Sequence, residues 1–425
     1  MYSKFKQGFV ILTQFPVGVV MAAGGDYDKP VVMILGGCGF IGRNLLEYLL
    51  DNKLASEVWV VDKTPPQTAW LNIKHTSIFN DNRVHFKSAN LINPVDVDYV
   101  INCACETRTG QTDPVYREGI LKLSLNCASE AAKHNVKRFV EVSTGHMCSS
   151  DKNPHKEEDK MDPWTYVGKY KSQVEEELKK VPGLRYTVVR PAIVYGLGDK
   201  HGIAPRLVIG AVYKHLGEMM KLLWNRDLKM NTVHVTDLCQ AIWHLATRED
   251  TLAQVYNIVD KGDTTQGTIS NLVSEIFNIN HDYWGKALST VCKTDMVSVV
   301  EEVNDKHMGP WAEACSLDGV ENTPLTPYID QELLYNKHLY LDGSKLERTG
   351  YTLTVPCLTK ERLEEVSTSN IPAIHSYLTK ERLEEVSTSN IPAIHSCLTK
   401  ERLEEVSTSN ILAIHSCLTK ERLEE

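Results

Sequence analysis

The run VVMILGGCGFIGRNLL, residues 31–46, restricts what this chain can become more than any other stretch of it. An apolar strand meets a cluster of glycines and passes at once into a helical pattern. Gly37, Gly39 and Gly42 satisfy G-x-G-x-x-G, while Gly36, Gly39 and Gly42 satisfy the wider G-x-x-G-x-x-G. Such a turn brings backbone N–H groups to a helix N-terminus, where the dipole favours a phosphate. Asp62 closes the next apolar run, EVWVVD (57–62), where a carboxylate can bond ribose hydroxyls and repel a 2′-phosphate. Strand, glycines, helix, strand and acid in that order imply a dinucleotide site, with NAD favoured over NADP. Lys63, directly after Asp62, is the feature that leaves room for the phosphorylated cofactor.

The rhythm continues. RVHFKSANL, DYVINCAC, a helix from about 114 to 134, KRFVEVST, a helix opening at WTYVGKYKSQVEEE (164–177) and RYTVVRPAIVYG follow one another. Apolar strands separated by helices of this length predict an α/β fold, a doubly wound parallel sheet covered on both faces. After Gly196 the pattern loosens into shorter helices, isolated strands such as VYNIVD (255–260) and loops rich in Trp, Pro and His. We therefore expect an N-terminal extension (1–29), a cofactor-binding core (30–196), a smaller C-terminal substrate-binding region (197–356) and a repeat tail (357–425).

The tail is CLTKERLEEVSTSNIPAIHS, recurring at 357, 377 and 397 and breaking off after Glu425. The full copies differ only at Tyr377 and Leu412. Near-identity points to recent duplication rather than to a stacked solenoid, whose surface positions drift. The tail is expected to be dispensable, with the first LTKERLEEV the one candidate for a closing helix. Each unit carries two basic and three acidic residues, so the copies supply four of the nine net negative charges.

That negative balance, with no Lys/Arg cluster, argues against nucleic acid. Eleven cysteines without paired spacing suggest a reducing compartment and a cytoplasmic protein. Cys103 and Cys105, two apart in an apolar run, are expected on one face of a strand as small buried residues and not as metal ligands. Residues 1–20 hold two lysines and an apolar stretch interrupted by Gln14 and Pro16, which resembles a weak signal sequence but is too short for a membrane span.

Taken with VVRPAIVYG (188–196), VHVTDLCQAIWHL (233–245) and VEVST (140–144), these motifs resemble the extended short-chain dehydrogenase/reductase family of NAD-dependent epimerases, dehydratases and 3β-hydroxysteroid dehydrogenases. The resemblance covers about residues 31–355 and implies a Rossmann-type fold. It places Gly36, Gly39, Phe40, Ile41 and Gly42 at the pyrophosphate, Asp62 at the adenosine ribose and Asn90 and Leu91 beside the adenine. Ala104 falls against the cofactor after the fourth strand, and Pro191 to Val194 at the nicotinamide. It also implies a small-molecule substrate and a homodimer built from the helices after the fourth and fifth strands.

The family's chemistry uses a tyrosine base, a lysine four residues on, and a strand-end hydroxyl, for which Thr144 is the candidate with Ser143 beside it. Sugar dehydratases of the family carry an acidic pair after that threonine, whereas Gly145 and His146 follow here. The helix also departs: Tyr170 stands four residues after Tyr166. One register takes Lys171 as the cofactor lysine, with Glu175 following and Val167 in the tyrosine's place; the other keeps Tyr166 and uses Lys169. Val167, Lys171, Val174 and Leu178 share one helical stripe, which favours the first and demands a ribose hydroxyl or a carboxylate as partner for Lys171. Tyr166, near the helix start, or His146, with its ordinary near-neutral pKa, is then the remaining base. Two functions follow: an epimerase/dehydratase-type oxidoreductase acting on a hydroxyl or keto group of a sugar nucleotide, sterol or related metabolite, or a catalytically weak NAD(P)-binding regulatory or scaffold protein.

Overall fold

The structure, a computed structural model, describes residues 29–88, 97–285, 289 and 295–370, all within the first of two compact units, Met1–Leu378. Seven parallel strands form the main sheet: β1 (Val31–Leu35), β2 (Glu57–Asp62), β3 (Val84–Ser88), β4 (Tyr99–Asn102), β5 (Arg138–Val142), β6 (Tyr186–Pro191) and β10 (Gln254–Ile258). Their spatial order is β10-β6-β5-β4-β1-β2-β3, with β7 (Ile193–Tyr195), β8 (Met220–Leu222) and β9 (Thr232–His234) outside this sheet. Ile34 pairs with Val60 on one side and Ile101 on the other, so β1 lies between β2 and the middle strand β4, and the strand order reverses between β1 and β4. The crevice at the C-terminal ends of such central strands is where doubly wound sheets bind ligands.

Both faces are covered, which is why the strands read as continuous apolar runs. On one face Val32, Ile34 and Val58 pack with Leu45 and Leu49 of α1 (Phe40–Asp51), and with Leu238 and Ile242 of a helix at Val235–Ala246. On the other, Met33, Leu35 and Phe139 meet Tyr116, Ala128, Tyr170 and Leu178. The helix expected near 114–134 is present but not uniform: Asp113–Tyr116 and Leu123–Lys133 are α-helical, and Arg117–Lys122 between them is a π-helical turn. Gly119 sits in that turn, where an added Cβ would lie 2.9 Å from Glu106 Cβ.

Two expectations need correction, and a third candidate is present. VYNIVD is not isolated: its strand β10 pairs with β6 through Tyr256 opposite Val189, so the cofactor core borrows an element from beyond residue 196. Cys103 and Cys105 follow the last residue of β4 and lie half-buried in the loop that leaves the sheet, so they do not alternate along a strand. The candidate closing helix at the start of the first repeat copy is present, and residues 357–370 belong to the fold. Fully buried Asp237 accepts bonds from Thr354 N (2.7 Å), Thr354 Oγ1 (2.8 Å) and Val355 N (2.8 Å), holding the chain against the Val235–Ala246 helix. LTKERLEEV then forms most of the helix Lys360–Asn370, and Leu358, Leu363 and Val366 join Leu207, Val273 and Phe277 in a third core. The later copies lie outside the described residues.

Leu363 is fully buried, so Leu363→Ala is expected to lower stability by about 2–5 kcal/mol in urea unfolding. A chain ending after Asn370 should keep wild-type cofactor affinity, while one ending after Thr354 should lose cooperative unfolding.

Candidate active site

The turn after β1 shows why its glycines are required. Gly36 has φ +73°, and a Cβ there would lie 2.7 Å from Ala104 N and 2.8 Å from Ala104 Cα, so the chains leaving β1 and β4 touch backbone to backbone. A Cβ at Gly42 would meet Gly36 O at 2.5 Å. Gly39 donates to Gly36 O (3.0 Å) and starts α1 with no side-chain cap and no acidic residue in the first turn, leaving N–H groups open to an anion. Asp62, at the end of β2, accepts from Cys38 N (3.0 Å) and Thr64 N (2.9 Å), which ties the acid to the glycine turn. Lys63 reaches Glu106 (3.7 Å), whose carboxylate is also gripped by Arg108 at 3.0 and 2.8 Å. Those Arg108 hydrogen bonds, against some opposition from burial, hold Glu106 down at about 2. The charge of Lys63 is thus answered by a neighbour, and the β2 end suits a ribose diol better than a 2′-phosphate. Asn90 and Leu91 lie outside the described residues.

The helix that opens at Tyr166 is α5 in chain order, after α2 (Ile73–Phe79), α3 (Asp113–Tyr116) and α4 (Leu123–Lys133); it spans Tyr166–Leu178. Thr165 caps it by accepting from Gly168 N (3.0 Å), and it buries Tyr170, Lys171, Val174, Glu175 and Leu178. Val167 is half-buried against the same cluster. The partner of Lys171 is a carboxylate: Nζ lies 2.7 Å from Glu141 Oε1 on β5, with the two side chains 2% and 0% exposed. Burial pulls the lysine down, but Glu141 outweighs it and leaves Lys171 raised above its ordinary value. Glu141 also accepts from Asn102 Nδ2 (2.7 Å) and Ser124 Oγ (3.1 Å), and Asn102 Oδ1 accepts from Ala104 N (3.2 Å). The lysine is therefore linked, through two side chains, to the backbone that abuts Gly36. One turn along, Glu175 bonds Arg190 Nη2 (2.7 Å) and Ser143 Oγ (2.5 Å).

At the end of β5, Thr144 Oγ1 accepts from His146 N (3.2 Å), and Gly145 N donates to Pro191 O (2.8 Å), joining this corner to the end of β6. Val194, in β7 (Ile193–Tyr195), continues from there. A Cβ at Gly145 would stand 2.9 Å from Pro191 O and 3.0 Å from Leu339 Cδ1, so the first acidic position of a sugar dehydratase has no room here.

Neither expected base is placed for the role. Burial, and secondarily Arg206, pushes His146 down to about 4, leaving a weak proton acceptor packed edge-on against Trp164 at 5.5 Å. Tyr166 is 46% exposed and stacks flat on Tyr116, centroids 5.2 Å apart and planes 5° apart, because its capped first turn is regular and aims the ring at α3. Lys169 lies 5.8 Å from the Tyr166 ring but is half exposed and pairs with Asp113 (3.4 Å), as a solvated surface lysine would. Glu141, Asn102, Ser124 and Arg190 were missed from the sequence; polar residues inside otherwise apolar strands, as in FVEV and VVRP, were the available signal.

A model of the NAD-dependent epimerase/dehydratase family matches residues 32–259, more than half of the chain. The chain belongs to that family. Among curated proteins, the sterol-4-alpha-carboxylate 3-dehydrogenase (decarboxylating) of Candida albicans is 24% identical over 265 residues, covering 57% of this chain and 73% of that protein. A UDP-glucose 4-epimerase assigned putatively in Methanocaldococcus jannaschii is 25% identical over 182 residues, covering 39% of this chain and 56% of its own length. The fold matches the UDP-glucuronic acid 4-epimerase of Bacillus cereus, solved with UDP-glucuronic acid and NAD (TM-score 0.57, 16% identity, 81% of this chain and 99% of that one). It also matches the UDP-glucose 4-epimerase of Thermotoga maritima (TM-score 0.54, 19% identity, 80% and 98%).

For this epimerase/dehydratase-family chain, Glu141→Ala would strand a buried ammonium. The expected loss is about 3–5 kcal/mol of stability in urea unfolding, recovered in part by adding Lys171→Met.

Proposed function

We propose that this chain is an NAD-dependent oxidoreductase acting on a hydroxyl or keto group of a sterol or a sugar nucleotide. The observation that carries the reading is the convergence, at the C-terminal ends of β1, β2, β4 and β5, of the uncapped glycine turn, Asp62, the Ala104 backbone and Thr144. Gly36, Gly39, Phe40, Ile41 and Gly42 would hold the pyrophosphate and Asp62 the ribose, with Pro191 and Val194 toward the nicotinamide. Bound NAD would supply the hydride acceptor. Thr144 already accepts a bond from His146 N, so its own hydroxyl proton is left to donate to a substrate oxygen. That polarises a carbonyl, or orients an alcohol, next to the cofactor.

Lys171 is a positioning residue in this reading. With Val167 where the family's tyrosine would stand, and Glu141 balancing its charge, the lysine has no phenol to acidify. The resemblance to a sterol carboxylate dehydrogenase and to sugar epimerases supports two substrate classes. The missing room at Gly145 weighs against dehydration. The alternative, an NAD-binding protein with little turnover, draws on the same Val167 and on the neutralised lysine. A homodimer through α4 and α5 and a cytoplasmic location complete the proposal; among the described residues, no helix is long and apolar enough to cross a membrane.

The test is absorbance at the NADH band with purified protein, NAD and a panel of sterol alcohols, sterol carboxylates and UDP-sugars. Tight NADH binding with no redox change on the whole panel would reject the enzyme reading in favour of the alternative. With an active substrate, Thr144→Val should cut kcat by about 100-fold or more while leaving NADH affinity intact. Tyr166→Phe should leave kcat within about twofold of wild type, as expected for a ring stacked on Tyr116. Asp62→Ala should weaken NADH binding by about tenfold or more in fluorescence titration, the loss expected when a charged hydrogen-bonding partner is removed.

A further inference from the structure

The loop after β7 carries one more cation, Lys200, close to Arg43 of α1. β7 ends at Tyr195, and Gly196 (φ +134°) and Gly198 (φ +93°) turn the chain back over the start of α1. Asn44 Nδ2 fastens it there, donating to Leu197 O (3.0 Å) and to Phe40 O (2.8 Å). A Cβ at Gly198 would stand 3.7 Å from the Phe40 ring and 3.8 Å from the Arg43 side chain, so the loop rests on the first turn of the helix that faces the pyrophosphate.

Lys200 follows directly. It is half-buried and, among the described residues, makes no hydrogen bond and no ion pair. The charged and titratable groups around it offer no counter-ion. On α1, Arg43 is a second cation, itself committed to Gly39 O (3.1 Å), Trp70 O (2.9 Å) and Ala69 O (3.3 Å). On the loop, Asp199 is fully buried with both oxygens taken by the N–H groups of His201, Gly202, Ile203 and Ala204. His201 beside it is exposed. A partly desolvated ammonium next to a like charge is unfavourable unless an anion comes to it. A surface lysine with no task would extend into water and keep its hydration.

We propose that Lys200 is a phosphate-binding residue of the cofactor site, pairing with the pyrophosphate of NAD held at the start of α1. The glycine turn supplies neutral N–H donors, and Lys200 supplies the full positive charge that the turn lacks. The proposal rests on the family's use of NAD, and it concerns this chain's own lysine.

Burial, and then Arg43, lowers Lys200 to about 8. Its charge is present at pH 7 and is lost as pH rises through that value, so affinity for an anion should fall on the alkaline side. The experiment is fluorescence titration of the full chain with NADH at pH 7 and pH 9, in wild type, Lys200→Met and Lys200→Arg. Wild type should weaken by about tenfold between the two pH values, the change expected for loss of one required proton over about one unit above the pKa. Lys200→Met should bind about tenfold more weakly at pH 7 with a flat pH response, and Lys200→Arg should bind tightly and also be flat. Adenosine, which lacks the pyrophosphate, should bind wild type and Lys200→Met equally. Wild-type affinity in Lys200→Met would overturn the proposal, as would a wild-type pH response in Lys200→Arg or equal weakening of adenosine.

Discussion

Two buried carboxylates govern how this molecule is put together. Glu141 and Glu175 face each other's elements across the seam between the sheet and α5, and each is paired with a cation from the opposite side, Lys171 and Arg190. A buried ion pair adds little to net stability, because desolvating both charges offsets most of their attraction, yet breaking one is severe. Its effect is therefore on geometry. With Lys171 and Glu175 four residues apart on one face of α5, only one rotation of the helix satisfies both pairs. That rotation puts Val167 inward, against the sheet, and leaves Tyr166 outward and half exposed.

The same seam reaches the cofactor. Glu141 orients Asn102, whose amide oxygen holds Ala104 N, and Ala104 lies against Gly36 with no space for a side chain between them. The position of the dinucleotide turn is thus set from below by a buried polar network and from the side by Asp62, which binds the turn through Cys38 N. The loop after β7 and the segment before the Lys360–Asn370 helix are fixed differently. Asp199 and Asp237 are buried carboxylates that each tie a loop to a helix, Asp199 through the N–H groups leading into Ala204–Leu216 and Asp237 by holding Thr354 and Val355 against Val235–Ala246.

Much of this was legible in residue order. The glycine turn, Asp62, the parallel α/β class and the inward face of α5 all follow from local pattern, since each depends on contacts within a few residues or on a fixed period. The demand of Lys171 for a buried partner could be read from its apolar stripe. Which partner answered it could not, because Glu141 is thirty residues away and meets the lysine only where α5 packs on β5. The role imagined for His146 failed for a related reason: its ordinary pKa is a property of an exposed imidazole, and Trp164 and the surrounding chain remove that exposure.

The sequence by itself determined that this chain binds a dinucleotide on a doubly wound sheet, because a strand, a tight glycine turn and a helix dipole are local physics. It also favoured the register in which Val167 stands four residues before Lys171, because the two share an otherwise apolar helical stripe, with Tyr166 and Lys169 as the alternative. Only the tertiary structure decided where VYNIVD pairs, that the first repeat copy closes the third core, that Gly145 leaves no room for an acid, and that Lys171 is neutralised by Glu141. Each of these rests on two segments far apart in the chain meeting in space, and burial and charge are set there and not along the sequence.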